Sequence, residues 1–190
     1  GKRRGCYTYH QDQINELIVA RANTHGHVIR LKGGDPFIFG RGAEEMEYAA
    51  SFGLEVAVVP GISSSLAVPA YQNIPLTKRG SAESFWVITG TTKEHKISND
   101  IQLAAKSNAT VVVLMGMSKL PQIVKLFQAE GKNDLPVAII QNGTTSREKV
   151  GIGTVDSILD VVKNQDLRNP AIIVLGDVVK HREEILKMQL

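Results

Sequence analysis

Apolar side chains recur along the chain with two alternating periods. Between residues 11 and 25 they fall at helical spacing, and Gly26 follows in the position where glycine commonly ends a helix. Short apolar runs at 28–31, 54–59 and 110–115 predict strands. The nearly continuous apolar character of residues 54–59 is typical of a strand inside a parallel sheet. Strands that alternate with helices in this way predict an α/β fold.

The same alternation continues to the end of the chain, with one interruption. Residues 73–84 have few periodic apolar positions and carry Pro75, Gly80 and several charges. We therefore expect two α/β domains, at residues 1–78 and 79–190, and expect the first to lack its opening strand and helix. Further helices are predicted at 43–52, 63–71, 97–105, 120–129 and 155–162, and further strands at 85–89, 137–140, 149–153 (at an edge) and 171–175, before an amphipathic tail.

Composition excludes several classes of protein for this chain. The chain has 190 residues, 43% of them hydrophobic and 22% charged, which is typical of a globular protein. No apolar run approaches the length of a membrane span. The single cysteine, Cys6, excludes an internal disulfide and a multi-cysteine metal site, and it fits the cytoplasm. His25 and His27 have no acids or cysteines clustered beside them, so we expect no metal.

Positive charge is concentrated at the start of the chain. The net charge is +3, and residues 1–41 alone carry seven basic and three acidic side chains. Such a local field can concentrate an anionic small molecule. Nucleic acid is the other polyanion to consider. Because the sequence has no recognised nucleic-acid-binding motif, we expect no nucleic-acid partner.

Glycine-containing turns follow four of the predicted strands and mark a candidate ligand site. The first covers residues 33–42 and the second 60–64, while the last two contain Met115 and Gly143. Glycine lets a backbone approach a ligand closely, and open α/β sheets bind ligands at the carboxyl ends of their strands. The long turn at 33–42 matches neither the dinucleotide fingerprint nor the phosphate-binding loop, so hydride transfer and nucleotide hydrolysis have no support. Taken singly, each turn is as well explained by helix capping or a tight turn; their combination carries the prediction.

Eight short segments also occur in a fixed order along the whole chain: GKRRG at 1–5, RLKGGDPFIFGRG at 30–42, VPGISS at 59–64, IPLTKR at 74–79, VITG at 87–90, LMG at 114–116, QNGT at 141–144 and PAIIVLG at 170–176. In this order they resemble the tetrapyrrole methylase family. The resemblance implies two α/β domains with the active site in the cleft between them, and a homodimer. It implies methyl transfer from S-adenosylmethionine to pyrrole carbons of uroporphyrinogen III, giving precorrin-2 for sirohaem and cobalamin biosynthesis.

The resemblance also implies roles for individual residues. Arg30 and Arg41 resemble contacts to the carboxylates of the substrate, and Lys2 resembles a lysine proposed as a proton donor. Arginine binds a carboxylate through two parallel hydrogen bonds, so this assignment agrees with the basic start of the chain. Contacts to the cofactor are implied, without any metal, at Gly33, Gly34, Asp35, Ile38, Ser63, Ser64, Met115, Gly143 and Ala171.

The chain departs from the family pattern in several places. The family's opening glycine-proline loop and a following segment with a proposed general base are absent, so we expect impaired catalysis from a chain that starts at Gly1. Lys78 stands where the family has a histidine before Arg79. Two alternatives stay open: a sister methylase acting on a later corrin intermediate or another acceptor, and a truncated cofactor-binding domain without catalysis.

Overall fold

The structure is a computed structural model that describes residues 9–188 in full and the backbone of residues 2–3 and 6–7. The helices are α1 (Gln11–His25), α2 (Gly42–Ser51), α3 (Ser64–Tyr71), α4 (Asp100–Lys106), α5 (Leu120–Ala129), α6 (Ile158–Asn164) and α7 (His181–Met188). The strands are β1 (Lys2–Arg3), β2 (Cys6–Tyr7), β3 (Phe85–Thr89), β4 (Thr110–Leu114), β5 (Pro136–Gln141), β6 (Lys149–Thr154) and β7 (Ala171–Leu175). The predicted helices, and the predicted strands after residue 84, are confirmed with ends that differ by at most three residues.

Strands β3 to β7 form one mixed sheet in the order β3-β4-β7-β5-β6, and β1 pairs with β2 in a separate antiparallel hairpin. β3 and β4 run parallel, whereas β7 runs antiparallel to both of its neighbours, β4 and β5. β6 pairs with β5 at the edge, as predicted for residues 149–153. The last strand along the chain therefore lies in the middle of the sheet.

The central strands are buried on both faces of the sheet. Val111, Val113 and Ile173 belong to an apolar cluster formed with α4, α5 and α6, whereas Val112 and Val174 belong to a second cluster that includes α3 and the residues after β7. Strands covered on both faces need apolar side chains at successive positions. This requirement explains why β4 and β7 are almost entirely valine, isoleucine and leucine.

Two strands predicted from the sequence are wrong. Residues 28–31 and 54–59 are neither strand nor helix, and Ile29 and Leu31 are 73% and 81% exposed. A strand is defined by hydrogen bonds to a neighbouring strand, and no described residue forms a β-ladder with either segment. The turns at 33–42 and 60–64 therefore do not follow strands, contrary to the prediction.

The chain divides into two compact units, Gly1–Ser63 and Ser64–Leu190. The first contains α1, α2 and the glycine-rich turn, and the second contains the five-stranded sheet with α3 to α7. The domains expected at residues 1–78 and 79–190 stay a prediction. No helix in the described part of the chain has both the length and the apolar character needed to cross a bilayer.

Candidate functional site

In the second unit, three of the predicted cofactor residues lie at one edge of the sheet: Met115, Gly143 and Ala171, which we call the sheet-edge group. Met115 follows the carboxyl end of β4, and Gly143 follows the carboxyl end of β5. Ala171 is the first residue of β7 and pairs with Gln141 of β5. β7 lies between β4 and β5 and runs antiparallel to both. The topology thus brings together residues that are far apart in sequence.

The β4 end of this group is shaped by a close approach of two backbones. A Cβ atom on Gly90 would lie 2.3 Å from Cα of Gly116, so only glycine fits at residue 90. The Gly90 N–H donates to the carbonyl of Leu114 at 2.7 Å, and the Thr91 hydroxyl donates to the carbonyl of Met115 at 3.0 Å. Met115 has a left-handed backbone (φ 55°) and stays 52% exposed beside this buried turn. The turn therefore presents a thioether side chain to solvent from a rigid base.

The β5 end is a tight turn that packs on α3. We call residues 141–145 the β5 loop. A Cβ atom on Gly143 would lie 2.4 Å from a methyl group of Val68, so the loop backbone contacts the helix directly. The Asn142 N–H donates to the carbonyl of Pro170 at 2.9 Å, which ties the loop to the residue before Ala171. Ser64, another predicted cofactor residue, is exposed at the first position of α3.

In the first unit, the glycine-rich turn is held by the carboxylate of Asp35. Its Oδ1 accepts the N–H of Phe37 at 2.8 Å, and its Oδ2 accepts the N–H of Gly61 at 3.1 Å. A Cβ atom on Gly61 would lie 2.3 Å from the carbonyl oxygen of Gly34. The predicted turns at 33–42 and 60–64 therefore contact each other, and Asp35 joins them.

The other predicted cofactor residues of this unit differ in accessibility. Gly33 and Gly34 are exposed, and a Cβ atom on Gly33 would meet nothing within 4 Å. Ile38 is partly exposed on the same turn, whereas Ser63 is buried. Open space beside the Gly33 backbone is compatible with the close approach of a ligand.

Arg30 belongs to a charged cluster that the sequence did not predict. Glu45, only 6% exposed, accepts hydrogen bonds from Gln11 (3.0 Å) and Arg30 (3.3 Å) at Oε1 and from Lys32 (2.9 Å) at Oε2. We call these four residues the Glu45 cluster. Burial raises the pKa of the Glu45 carboxyl, but its hydrogen bonds to Gln11 and Lys32, with the charge of Arg30, bring the pKa below its usual value. The cluster keeps one positive charge in excess.

A sequence signal for Glu45 exists in hindsight. Gly42, Glu45 and Ala49 share the buried face of α2 at spacings of three and four residues, so an acid stands on a face that should be apolar. A buried acid requires a cationic or hydrogen-bonding partner. Its partners lie in α1 and in the segment before Gly33, which no local pattern identifies.

Arg41 immediately precedes α2, has a left-handed backbone (φ 58°) and forms a two-pronged ion pair with Glu44. The hydrogen bond to Glu44 raises the pKa of Arg41. Both side chains are about half exposed, with 46% and 53% of their surface accessible. Arg41 is thus accessible to a carboxylate that competes with Glu44. The side chain of Lys2, the predicted proton donor, lies outside the described residues.

Comparison with known proteins assigns the class. A family model described as Tetrapyrrole (Corrin/Porphyrin) Methylases matches residues 1–159. The chain therefore belongs to the tetrapyrrole methylase family. Among residues 9–188 no group of three or more histidine, cysteine or acidic side chains is arranged to hold a metal ion.

Three similar proteins indicate the branch of the family. A uroporphyrinogen-III C-methyltransferase of Methanocaldococcus jannaschii is 41% identical over 181 residues, which cover 94% of this chain and 75% of that protein. A siroheme synthase of Methylobacillus flagellatus is 42% identical over 186 residues, which cover 97% of this chain and 40% of that protein. The chain thus spans about 40% of the length of the siroheme synthases that it matches.

The third is a solved structure. It is the uroporphyrin-III C-methyl transferase from Thermus thermophilus, complexed with S-adenyl homocysteine. It has a TM-score of 0.78 and 32% sequence identity, and the match covers 90% of this chain and 74% of that one.

Proposed function

We propose that the chain carries out S-adenosylmethionine-dependent C-methylation of uroporphyrinogen III, giving precorrin-2 for sirohaem and cobalamin biosynthesis. The gathering of Met115, Gly143 and Ala171 at one edge of the sheet carries the proposal, because this is where the resemblance predicts the cofactor. The names of the relatives from Methanocaldococcus and Thermus support the same reaction and cofactor.

The residues at this edge fit an adenosyl sulfonium. Met115 and Ala171 offer apolar surface, and Gly143 brings backbone to the same place without a side chain in the way. The cofactor would supply an activated methyl group as a sulfonium. The protein then needs chiefly to hold the acceptor carbon in line with that methyl group, and positioning of this kind can lower the barrier by several kcal/mol.

Basic side chains of the first unit suit a polyanionic substrate. Arg30 and Lys32 surround a single carboxylate, so the Glu45 cluster retains positive charge toward an acidic ligand. Arg41 offers a planar guanidinium that can exchange Glu44 for a substrate carboxylate.

We further propose that Lys2 donates the proton. The proposed domains are residues 1–78 and 79–190, with the active site in a cleft between them. The protein is proposed to be a cytoplasmic homodimer.

The first test is calorimetry of the full chain with S-adenosylhomocysteine, comparing Met115→Ala with Met188→Ala. Both methionines are exposed, at 52% and 83%, so neither substitution should disturb the core. We expect Met115→Ala to weaken binding about tenfold, because it removes apolar surface that the ligand would bury, worth about 1.4 kcal/mol. Met188→Ala should bind like the wild type. Wild-type protein that does not bind S-adenosylhomocysteine would contradict the proposal.

The second test is methyl transfer to a panel of tetrapyrroles. Turnover with uroporphyrinogen III and not with later corrin intermediates supports the proposal, whereas the reverse preference favours the sister methylase. Binding of S-adenosylhomocysteine without turnover of any acceptor favours the cofactor-binding domain without catalysis.

A further inference from the structure

The β5 loop has an unusual backbone for its sequence. Asn142 and Thr144, which flank Gly143, both adopt left-handed conformations, with φ angles of 50° and 65°. Threonine is branched at Cβ and avoids this region, so other contacts must hold the loop in place. The Thr145 hydroxyl donates to the carbonyl of Asn142 at 2.8 Å, but this contact is internal to the loop.

A carboxylate outside the loop fixes the Thr144 peptide. Oε2 of Glu148 accepts the Thr144 N–H at 2.8 Å, and Oε1 of the same carboxylate accepts a hydrogen bond from the side-chain amide of Gln72. Glu148 stands one residue before β6. The conformation of the loop is therefore tied to Gln72, which follows the end of α3.

Gln72 is in turn fixed by the C-terminal helix. It is 8% exposed, and its Oε1 accepts a hydrogen bond from Nη2 of Arg182 at 3.1 Å. Nε of Arg182 is buried without a hydrogen-bond partner among residues 9–188. The hydrogen bond that the structure describes for the Arg182 guanidinium is therefore the one to Gln72. Because an amide that accepts from a cation becomes a better donor, the charge of Arg182 strengthens the bond from Gln72 to Glu148.

We propose that Arg182 is a positioning residue for the cofactor: it holds Thr144, and with it Gly143, through Gln72 and Glu148. This inference rests on the proposed function, because it takes Gly143 as a cofactor contact. Arg182 lies in α7, beyond residues 1–159 that the family model matches. Among the described residues, its hydrogen bonds reach the loop through the two intervening side chains, so the proposed role is to position the loop and not to bind the ligand itself.

Amide hydrogen exchange at Thr144 tests the connection without any ligand. Arg182→Met keeps an unbranched apolar stem and removes the guanidinium donors, and Arg168→Met is the matched control, because the Arg168 side chain is 74% exposed and pairs with Asp166. We expect exchange at Thr144 to rise about tenfold in Arg182→Met, through more frequent local opening, and to stay unchanged in the control. Equal exchange in both variants would overturn the proposal.

The effect on cofactor binding is measured by calorimetry with S-adenosylhomocysteine. Arg182→Met and Glu148→Gln should each raise Kd several-fold, about fivefold for a weakened loop, while Glu183→Gln, an exposed acid on α7, should not. Because the two residues act through one chain of hydrogen bonds, the double variant should be no weaker than the weaker single variant. Additive losses would overturn the connection.

A lysine variant distinguishes control of the loop from a general loss of stability. Arg182→Lys keeps the charge with a shorter reach, so Kd and exchange at Thr144 should fall between those of the wild type and Arg182→Met. A lowered unfolding midpoint with normal exchange at Thr144 would assign Arg182 a purely structural role and overturn the proposal. If the wild type fails to bind S-adenosylhomocysteine, the proposed function fails, whereas the exchange experiment still decides whether Arg182 controls the loop.

Discussion

The two units hold their candidate ligand turns in different ways. In the second unit, the turns at Met115 and Gly143 extend directly from strands whose side chains are almost all buried. In the first unit, the turn at 33–42 is held by a carboxylate and by the contact of Gly61 with Gly34. The turns of the second unit are thus fixed by strands in a hydrophobic core, whereas the turn of the first unit depends on a few polar and backbone contacts.

This difference has an energetic consequence. A core spreads its stabilisation over many small contacts, so a turn on a buried sheet withstands most single surface changes. The turn in the first unit depends on the carboxylate of Asp35, which a single substitution can remove. The neighbouring Glu45 cluster depends on the charge of Glu45, which acid can also remove. We therefore expect different sensitivities in the two units.

The largest effect is expected from Gly90→Ala in the second unit. The new methyl group would lie 2.3 Å from Cα and 2.9 Å from N of Gly116, both backbone atoms in a buried turn. Overpacking that the core cannot relieve should cost about 3 kcal/mol of unfolding free energy, measured by denaturant titration. A loss below about 1 kcal/mol would indicate that the sheet end is as adaptable as the turn in the first unit.

Gly61→Ala is the corresponding change in the first unit. Its methyl group would lie 2.3 Å from the carbonyl oxygen of Gly34, but both residues are exposed and the turn can shift. We expect a smaller loss, about 2 kcal/mol, together with weaker binding of S-adenosylhomocysteine. Gly33→Ala meets nothing within 4 Å and should leave the unfolding free energy unchanged, so any loss of affinity in that variant reports contact with the ligand.

Glu45→Gln should cost about 1.5 kcal/mol at neutral pH, because it weakens hydrogen bonds to two cations. The pKa of Glu45 is lowered in the folded protein, so its contribution is present above the ordinary value of 4.5 and is lost as the pH falls through the lowered value. The stability curves of the wild type and Glu45→Gln should therefore converge in acid.

The control for Glu45→Gln is Glu47→Gln, an exposed acid on the same helix. Its stability curve should follow that of the wild type throughout. Curves of Glu45→Gln and wild type that run parallel down to pH 3 would mean that the carboxylate charge of Glu45 does not stabilise the first unit.

The smallest effect is expected from Glu184→Gln in the second unit. Glu184 interacts with His181 at 2.7 Å and Lys78 at 3.7 Å, and its pKa is lowered chiefly by the hydrogen bond to His181. The carboxylate is exposed to solvent, where ion pairs contribute little. Thermal unfolding at low and high salt should match the wild type, and a clear drop would show that polar contacts matter equally in both units.

Sequence reasoning succeeded where burial imposes a pattern. The valine-rich β4 and the isoleucine-rich β7 were predicted from their apolar, β-branched runs, and the structure supplies the reason, since strands covered on both faces must be apolar throughout. The same reasoning failed for residues 28–31 and 54–59, which are apolar but have no β-ladder among the described residues. Apolar composition reports a preference for burial, whereas a strand also requires a neighbour, which is a property of the tertiary fold.

The candidate site was only partly predictable for the same reason. Turns after strands pointed to Met115 and Gly143 without knowledge of the fold. Ala171 came from the resemblance alone, because it stands at the amino end of its strand and not at the carboxyl end. Glu45 and Glu148 were missed, because their hydrogen-bond partners lie far away in sequence.

The central position of β7 sets an order of events during synthesis. β7 separates β4 from β5, so the pairs β3-β4 and β5-β6 have no hydrogen-bonded connection until residues 171–175 leave the ribosome. The sheet of the second unit can therefore close only after β7 has been translated. Until then the apolar edges of both pairs are unprotected, which exposes the nascent chain to aggregation and to chaperones that bind unpaired strands.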